Sequence, residues 1–544
     1  MRTKVNKRSM SKESFMQGIL ALVFSQVLIK VLGLVQTLYL TNRNGFKDAG
    51  NAIYMGGYQI YALLLALSSI GVPNAIAKLV SEKMAVGDNR GAYRIFKIAF
   101  ATFAVIGLVG TLLLFGFSKL IAYEWLQIPE AEYTLMVLSP AIFFVAISSV
   151  LRGYFNGMEK MSATANSQTF EQLFKTVLTI VLVEIVAYAS ATDTALMASA
   201  ATVATSFAIV LSFIYLFRFY KLAIKEVPLN NKNGVPTDRG SIKSIIKKIL
   251  AVSIPISVTA LLSSVNKNVD SFTVVRFLKP LIGEAAAKEK YGILSAKVDI
   301  LTSMPLAFNV AFATALVPAV AGAMAKKDTN TANKRLSFTL LLTALIGLPC
   351  TVGMMVFSDG ILKLLFPNAS EGAVLLAISA VAIIFAALAQ TINGALQGLG
   401  KVNAPAIAFG IGVLVKIVAN IFLIPMEAFQ ENGAAIGSVL CNVVSFIIGY
   451  YVLKNTIKLD FSLSKIMVKP VLATAFMSVI SYLIYIFMIG FTSIRIATIF
   501  AILVAVISYL IFVIIFRIFS KEDIEMLPKG DKIYKFLKKI KIYA

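Results

Sequence analysis

Lys30 lies midway along an apolar run that extends from Phe15 to Leu40, with Gln26 and Gln36 one to two helical turns away. An ammonium in such surroundings is poorly hydrated and calls for an anion. A phosphate or diphosphate answers it with short, charge-assisted hydrogen bonds. Similar polar insertions recur along the chain. Glu171, Gln172 and Lys175 fall on one helical face within the apolar stretch 167–189, and Glu184 follows. Asn266, Lys267, Asn268, Asp270 and Arg276 punctuate or close the stretch 249–275, and Lys297, Asp299 and Asn309 belong to 293–321. Lys416 and Asn420 stand at i, i+4 in 404–425. The implied chemistry is recognition of charge in a low-dielectric setting. Lys30, Gln36, Lys175, Lys297 and Lys416 are the candidate lining of a cavity for an anion. Asp270 and Asn420 are the candidate coupling or interlobe pair, with Asp270 either paired to Lys416 or holding a monovalent cation. Plainer roles stand beside these. Lys297 and Asp299 suit a helix end, Arg276 and Glu184 an interface, and the two glutamines helix-to-helix hydrogen bonds.

Covalent catalysis has little to work with. The chain has no His, which removes imidazole metal ligands and His-based triads. Its two cysteines, Cys350 and Cys441, lie far apart inside apolar runs, where they read as small buried residues. Gly400-Lys401 lacks the earlier glycine of a phosphate loop, where Ala395 stands, and its Ser/Thr, where Val402 stands. Glu124, Glu130 and Glu132 form an acidic cluster read as solvated. The expectation is a protein that is not an enzyme and holds no cofactor or metal. Any transport would run on an ion gradient, the membrane potential or downstream consumption of its substrate.

The elements that must position these groups follow from composition. Of 544 residues 58% are hydrophobic and 14% charged, with a mean hydropathy of +0.83. Soluble domains carry about a quarter charged residues, so lipid is the expected solvent. Apolar stretches of about 20 residues fall near 15–40, 52–71, 93–117, 134–151, 167–189, 194–217, 249–275, 293–321, 336–358, 372–393, 404–425, 432–453, 466–489 and 494–517. The first is too long for a signal peptide and is read as a retained span. The fold class expected is all-α, a polytopic membrane bundle of about 14 transmembrane helices.

The net charge of +24 gathers in short clusters between the apolar runs. That distribution argues against nucleic acid and for the positive-inside rule. Arg2, Lys4, Lys7, Arg8 and Lys12 precede the first span. Basic residues then mark every second loop, from Lys78, Lys83 and Arg90, through Arg152 and Lys160, to Lys326, Lys327, Lys334 and Arg335, and on to Lys454, Lys458 and the C-terminal tail. Both termini are expected to be cytoplasmic. The run from Lys535 to Ile542 is amphipathic and either lies on the anionic leaflet or serves as a topogenic cluster.

The chain also repeats itself. Asn156-Gly157-Met158-Glu159-Lys160 and Gln397-Gly398-Leu399-Gly400-Lys401 are offset by 241 residues, as are Gly153 and Gly394, Ala163 and Ala404, and Lys175 and Lys416. Gly71-Val72-Pro73 and Leu316-Val317-Pro318 each precede a basic loop. Two pseudo-repeated six-helix lobes plus two C-terminal helices are expected. The boundaries are an N-lobe at 1–217, a cytoplasmic linker at 218–248, a C-lobe at 249–453, two further spans in 454–517 and a basic tail at 518–544. Parallel repeats of this kind commonly place a substrate path between them.

The segment Gly71-Val72-Pro73-Asn74-Ala75-Ile76-Ala77-Lys78-Leu79-Val80-Ser81-Glu82, followed by Gly87-Asp88, resembles the junction of the second and third spans in MurJ/SpoVB-like polysaccharide flippases. Lys30-Val31-Leu32-Gly33 resembles their first-span motif, where an arginine usually stands at the lysine, and Asn51-Ala52-Ile53-Tyr54 through Tyr61 resembles the Gram-positive members. The resemblance covers essentially the whole chain. It implies alternating access around a cationic cavity for a lipid diphosphate in the bacterial cytoplasmic membrane. The cargo it implies is an undecaprenyl-diphosphate-linked glycan, first the peptidoglycan precursor lipid II. Teichoic, capsular or sporulation-related saccharides are alternatives, and drug export is a more distant one. It implies a monomer whose partners are membrane lipid and the glycan, with contact to cell-wall synthesis proteins. Gln36 replaces a second arginine of the motif. Some relatives hold sodium between spans seven and eleven. Asp270 fits that place, and the Lys416 ammonium is read as standing in for the ion.

Overall fold

The computed structural model describes residues 15–69, 71–85, 87–158, 160–190, 193–226, 241–325, 328–401, 403–459, 462–520 and 523–524. The basic N-terminal arm, the centre of the linker and the amphipathic run near the C-terminus lie outside these residues. In chain order the helices are α1 (Phe15–Asn42), α2 (Lys47–Ser69), α3 (Gly71–Ala85), α4 (Asn89–Leu120), α5 (Ala131–Gly157), α6 (Met161–Ala189), α7 (Thr194–Glu226), α8 (Ile242–Ile282) and α9 (Glu284–Gly292). There follow α10 (Asp299–Ala325), α11 (Thr329–Val356), α12 (Ser358–Leu365), α13 (Ala373–Gly398), α14 (Ala404–Leu423), α15 (Glu431–Thr456), α16 (Leu463–Ile489) and α17 (Ile494–Ile515). Short π-helical segments, Ile121–Trp125 and Ile293–Val298, continue α4 and join α9 to α10.

Among the described residues, eleven helical stretches are long and apolar enough to cross a membrane. Helices α1, α2 and α8, of 28, 23 and 41 residues, stand where the remaining three spans were expected. The chain is therefore a multi-pass helical membrane bundle. Its outward faces agree. On α4, Val105, Leu108, Leu112 and Phe115 are exposed, and on α17 Leu503, Val506, Ile507 and Leu510. A water-soluble protein rarely leaves apolar patches of that extent uncovered. Within lipid every backbone group has to be satisfied along its own helix, which explains why the apolar stretches are helical throughout.

Polar residues fix where the helices begin. Asp88 caps α4 by accepting from the Gly91 amide at 2.9 Å, and Asp328 caps α11 by accepting from the Thr331 amide at 2.9 Å. Gly87, just before the first cap, has φ +81°, a left-handed conformation open to glycine at little cost. The short helices α3 and α12 were not foreseen as separate elements. The Gly-Val-Pro segment opens α3.

The chain packs as two compact units, 1–292 and 293–544. Although 249 was expected to open the second lobe, α8 packs on α2, α3, α4 and α9 and is grouped with the first unit. Polar contacts hold it there. The Asn268 amide donates to the Gln59 carbonyl at 3.1 Å, and Ser271 and Tyr291 share a hydrogen bond of 2.7 Å.

Each unit has its own core, and the cores correspond. Ile76, Val80, Ala92, Phe96, Leu151 and Phe155 are buried in the first. Leu316, Val320, Ala332, Leu336, Ile392 and Leu396 occupy the matching places in the second. The same register appears in the closest helix approaches. A methyl group added at Gly153 would lie 2.8 Å from the Pro73 carbonyl, and one at Gly157 2.8 Å from that of Ala77. In the second unit Gly394 meets the Ala313 carbonyl and Gly398 that of Val317 in the same way, at 2.5 and 2.8 Å. Small residues four apart are what allow two membrane helices to touch backbone to backbone. The repeat thus pairs α3 with α10 and α5 with α13. The extra helices α16 and α17 pack on α11 around Leu341, Leu345, Met477 and Tyr509.

Overpacking these clasps should be felt directly. Gly153→Val and Gly394→Val are each expected to destabilise the detergent-solubilised protein by about 1–3 kcal/mol, read as a lowered melting temperature in scanning fluorimetry. Gly116→Ala, where an added methyl meets nothing within 4 Å, should leave the melting temperature unchanged or slightly raised.

Candidate functional site

The first unit gathers the polar side chains of α1, α2, α5, α6 and α8. Helices α1 and α6 are joined by Ser25, which donates to the Ala165 carbonyl at 3.0 Å, and by Thr176, which donates to the Leu32 carbonyl at 3.3 Å. That pairing brings the Lys30 helix alongside Glu171, Gln172 and Lys175. Gln172 comes to within 3.9 Å of where a side chain on Gly33 would begin.

Helix α2 supplies three tyrosines on one face at four- and three-residue spacing, Tyr54, Tyr58 and Tyr61. Tyr54 and Tyr58 stack with centroids 5.9 Å apart, and the Lys175 ammonium lies 4.2 Å from the centre of the Tyr58 ring and 5.9 Å from that of Tyr54. Ring faces are negative, so they partly answer the lysine's charge without a carboxylate. Gln36 is buried and donates to the Tyr54 hydroxyl at 3.2 Å, and that hydroxyl lies 3.4 Å from Thr205. Gln36 therefore positions Tyr54.

Lys30 is exposed on α1 and Lys267 is exposed on α8. Lys30 lies within electrostatic reach of Lys267. Lys267 was noted in the sequence only as one of several polar insertions of its span. Its charge was visible there, but its proximity to Lys30 was not. Asp270, one turn further along α8, is buried.

Arg152 departs from expectation. It had been assigned to the basic loop after the fourth span, but it lies within α5. Its guanidinium pairs with Glu171 at 2.7 Å and donates to Ser167 and Ser212, both at 3.1 Å. The acidic cluster also differs from its solvated reading. Glu130 pairs with Lys288 of α9 at 2.7 Å, and the Glu124 carbonyl accepts from Arg276 at 2.7 Å. Glu184 is held by Arg43 at 2.9 Å and by the Tyr39 hydroxyl at 2.6 Å.

The second unit holds the remaining predicted residues, in other roles. Lys297 is 0% exposed, and its ammonium donates to the carbonyls of Ala369 and Glu371 at 2.9 and 3.0 Å. It clamps the loop before α13, and this takes its charge out of reach of a ligand. Lys416 is 1% exposed on α14, with Asn420 fully buried one turn on. Both lie against Gly437 of α15, where a larger residue would collide with the Asn420 side chain. Asp270 belongs to the first unit and Lys416 to the second. Of the five predicted cavity residues, Lys175 sits on the tyrosines, Gln36 supports Tyr54, Lys30 is exposed on α1, and Lys297 and Lys416 are buried.

The fold is shared with solved membrane transporters. A structure described as lipid II flippase MurJ, inward closed conformation, superposes with a TM-score of 0.65 over 92% of this chain and 98% of that one, at 18% identity. An inward-facing multidrug resistance MATE family transporter of the MOP superfamily gives 0.64 over 82% and 98%, at 14% identity. The chain therefore shares their fold. The family model described as polysaccharide biosynthesis protein matches residues 15–324, and the chain belongs to that family. A second model, MatE, matches residues 293–422. Stage V sporulation protein B of Bacillus subtilis (strain 168) is 27% identical over 530 residues, covering 95% of this chain and 98% of the relative. Lipid II flippase MurJ of the same organism is 23% identical over 454 residues, covering 81% and 82%.

The pairing of Arg152 with Glu171 makes a stability prediction. Arg152→Gln strands the carboxylate among helices, and removing one partner of such a pair costs more than removing both. Arg152→Gln should therefore lower the melting temperature more than Arg152→Gln combined with Glu171→Gln.

Proposed function

We propose that this protein is a flippase that carries an undecaprenyl-diphosphate-linked glycan from the inner to the outer leaflet by alternating access, with lipid II as the first candidate. The observation that carries this reading is that Lys30 and Lys267 present exposed ammonium groups from α1 and α8 of the same unit. A diphosphate has oxygens enough for both. Lys175, resting on Tyr54 and Tyr58, adds a third positive centre. Drug exporters of the same superfamily that take cations are served by the opposite polarity. The likeness to the lipid II flippase of Bacillus subtilis favours lipid II. The longer alignment to the stage V sporulation protein supports a sporulation-related saccharide as the second reading.

The test is rescue of a bacterium depleted of its own lipid II flippase, with direct assay of lipid II in the outer leaflet. Translocation by the wild type supports lipid II, and its failure with inserted, abundant protein moves the assignment to another lipid-linked glycan. Lys30→Gln and Lys267→Gln are each expected to slow translocation about tenfold or more, the order of one lost charge-assisted hydrogen bond. Lys30→Arg should keep most of the rate. If both neutralised variants transport at the wild-type rate, the diphosphate contact is wrong.

A further inference from the structure

A groove of about 610 Å³ runs along α10 and α11 in the second unit. Its apolar wall is built from Phe312 and Leu316 on α10 and Phe338 and Leu342 on α11. Lys334 and Arg335 line it one to two turns nearer the start of α11, and both are exposed. From Lys334 to Leu342 the helix rises about 12 Å. The groove therefore passes from a doubly cationic end into a wholly apolar one.

Thr331 donates its hydroxyl to the Asp328 carboxylate at 2.6 Å, and Thr339 donates to the Arg335 carbonyl at 2.8 Å. Asp328 is already engaged as the cap of α11. A basic cluster that served only to orient the chain would need charge but no groove beside it.

We infer that this groove is a site for one anionic glycerophospholipid of the cytoplasmic leaflet. Its phosphate lies between Lys334 and Arg335, and one acyl chain lies along Phe312, Leu316, Phe338 and Leu342. Charge complementarity selects an anionic headgroup over a zwitterionic one, since Lys334 and Arg335 outnumber the single carboxylate, Asp328, at that end of the groove. The site is separate from the lysines of the first unit and does not depend on the identity of any transported cargo.

The full-length protein, stripped of lipid in detergent and reloaded from vesicles of equal phosphatidylglycerol and phosphatidylcholine, tests this by native mass spectrometry. The wild type is expected to retain one phosphatidylglycerol with about tenfold preference. Lys334→Gln with Arg335→Gln should abolish the preference. Leu342→Trp, which fills the groove and keeps both charges, should reduce retention of either lipid. Lys454→Gln with Lys458→Gln, another basic pair, should behave as the wild type. The proposal is overturned if the Lys334/Arg335 variant keeps its preference, or if the Lys454/Lys458 variant loses it equally. It is also overturned if undecaprenyl diphosphate displaces the bound lipid at far lower concentration than phosphatidylglycerol itself, because the groove would then belong to a lipid diphosphate.

Discussion

A charge carried into hydrocarbon costs about 2.5–3.5 kcal/mol even on the most lenient insertion scales, and much of this structure is arranged around meeting that cost. Arg152 answers Glu171, Lys288 answers Glu130, and Lys297 turns inward to two backbone carbonyls. Each solution removes a charge from circulation and ties two segments together. Lys175 is met by aromatic faces, a weaker answer that keeps the ammonium available. Lys30 and Lys267 stay exposed on their helices.

The scaffold that holds these groups is made twice. Glycine-on-carbonyl clasps join α3 to α5 and α10 to α13 in one register, and aspartate caps at Asp88 and Asp328 start the helices that follow. The units have diverged in what they do with the same frame. The first collects tyrosines and lysines on one side of it. The second buries Lys416 and Asn420 and accepts the two additional helices α16 and α17 on α11.

Sequence reasoning recovered the parts of this that depend on local composition. Apolar length located the spans, and the glycines and lysine near the 241-residue offset announced the repeat whose clasps they form. It was blind where the outcome depends on which helix lies opposite. Lys30, Lys297 and Lys416 look alike as lysines in apolar runs, yet one is exposed and two are enclosed. Arg152 read as a loop residue because a charge near the end of an apolar stretch ordinarily is one, and only the carboxylate on α6 explains its place inside α5. Lys267 was hidden among polar neighbours, since nothing along α8 says that its charge reaches Lys30. The three tyrosines of α2 went unremarked because aromatic residues at helical spacing usually fill a core.

In the flippase proposed above, the seat of Lys175 on its two rings has a consequence for turnover. A carrier that held its cargo with fully unscreened cations would load quickly and unload slowly, and the cycle would stall at release. A ring face offers the ammonium somewhere to return to when the anion departs. Binding then becomes an exchange of partners, and so does letting go. Two phenols stacked a few ångströms apart thus act as a parking place for charge, flattening the energy difference between the loaded and empty states of the same pocket.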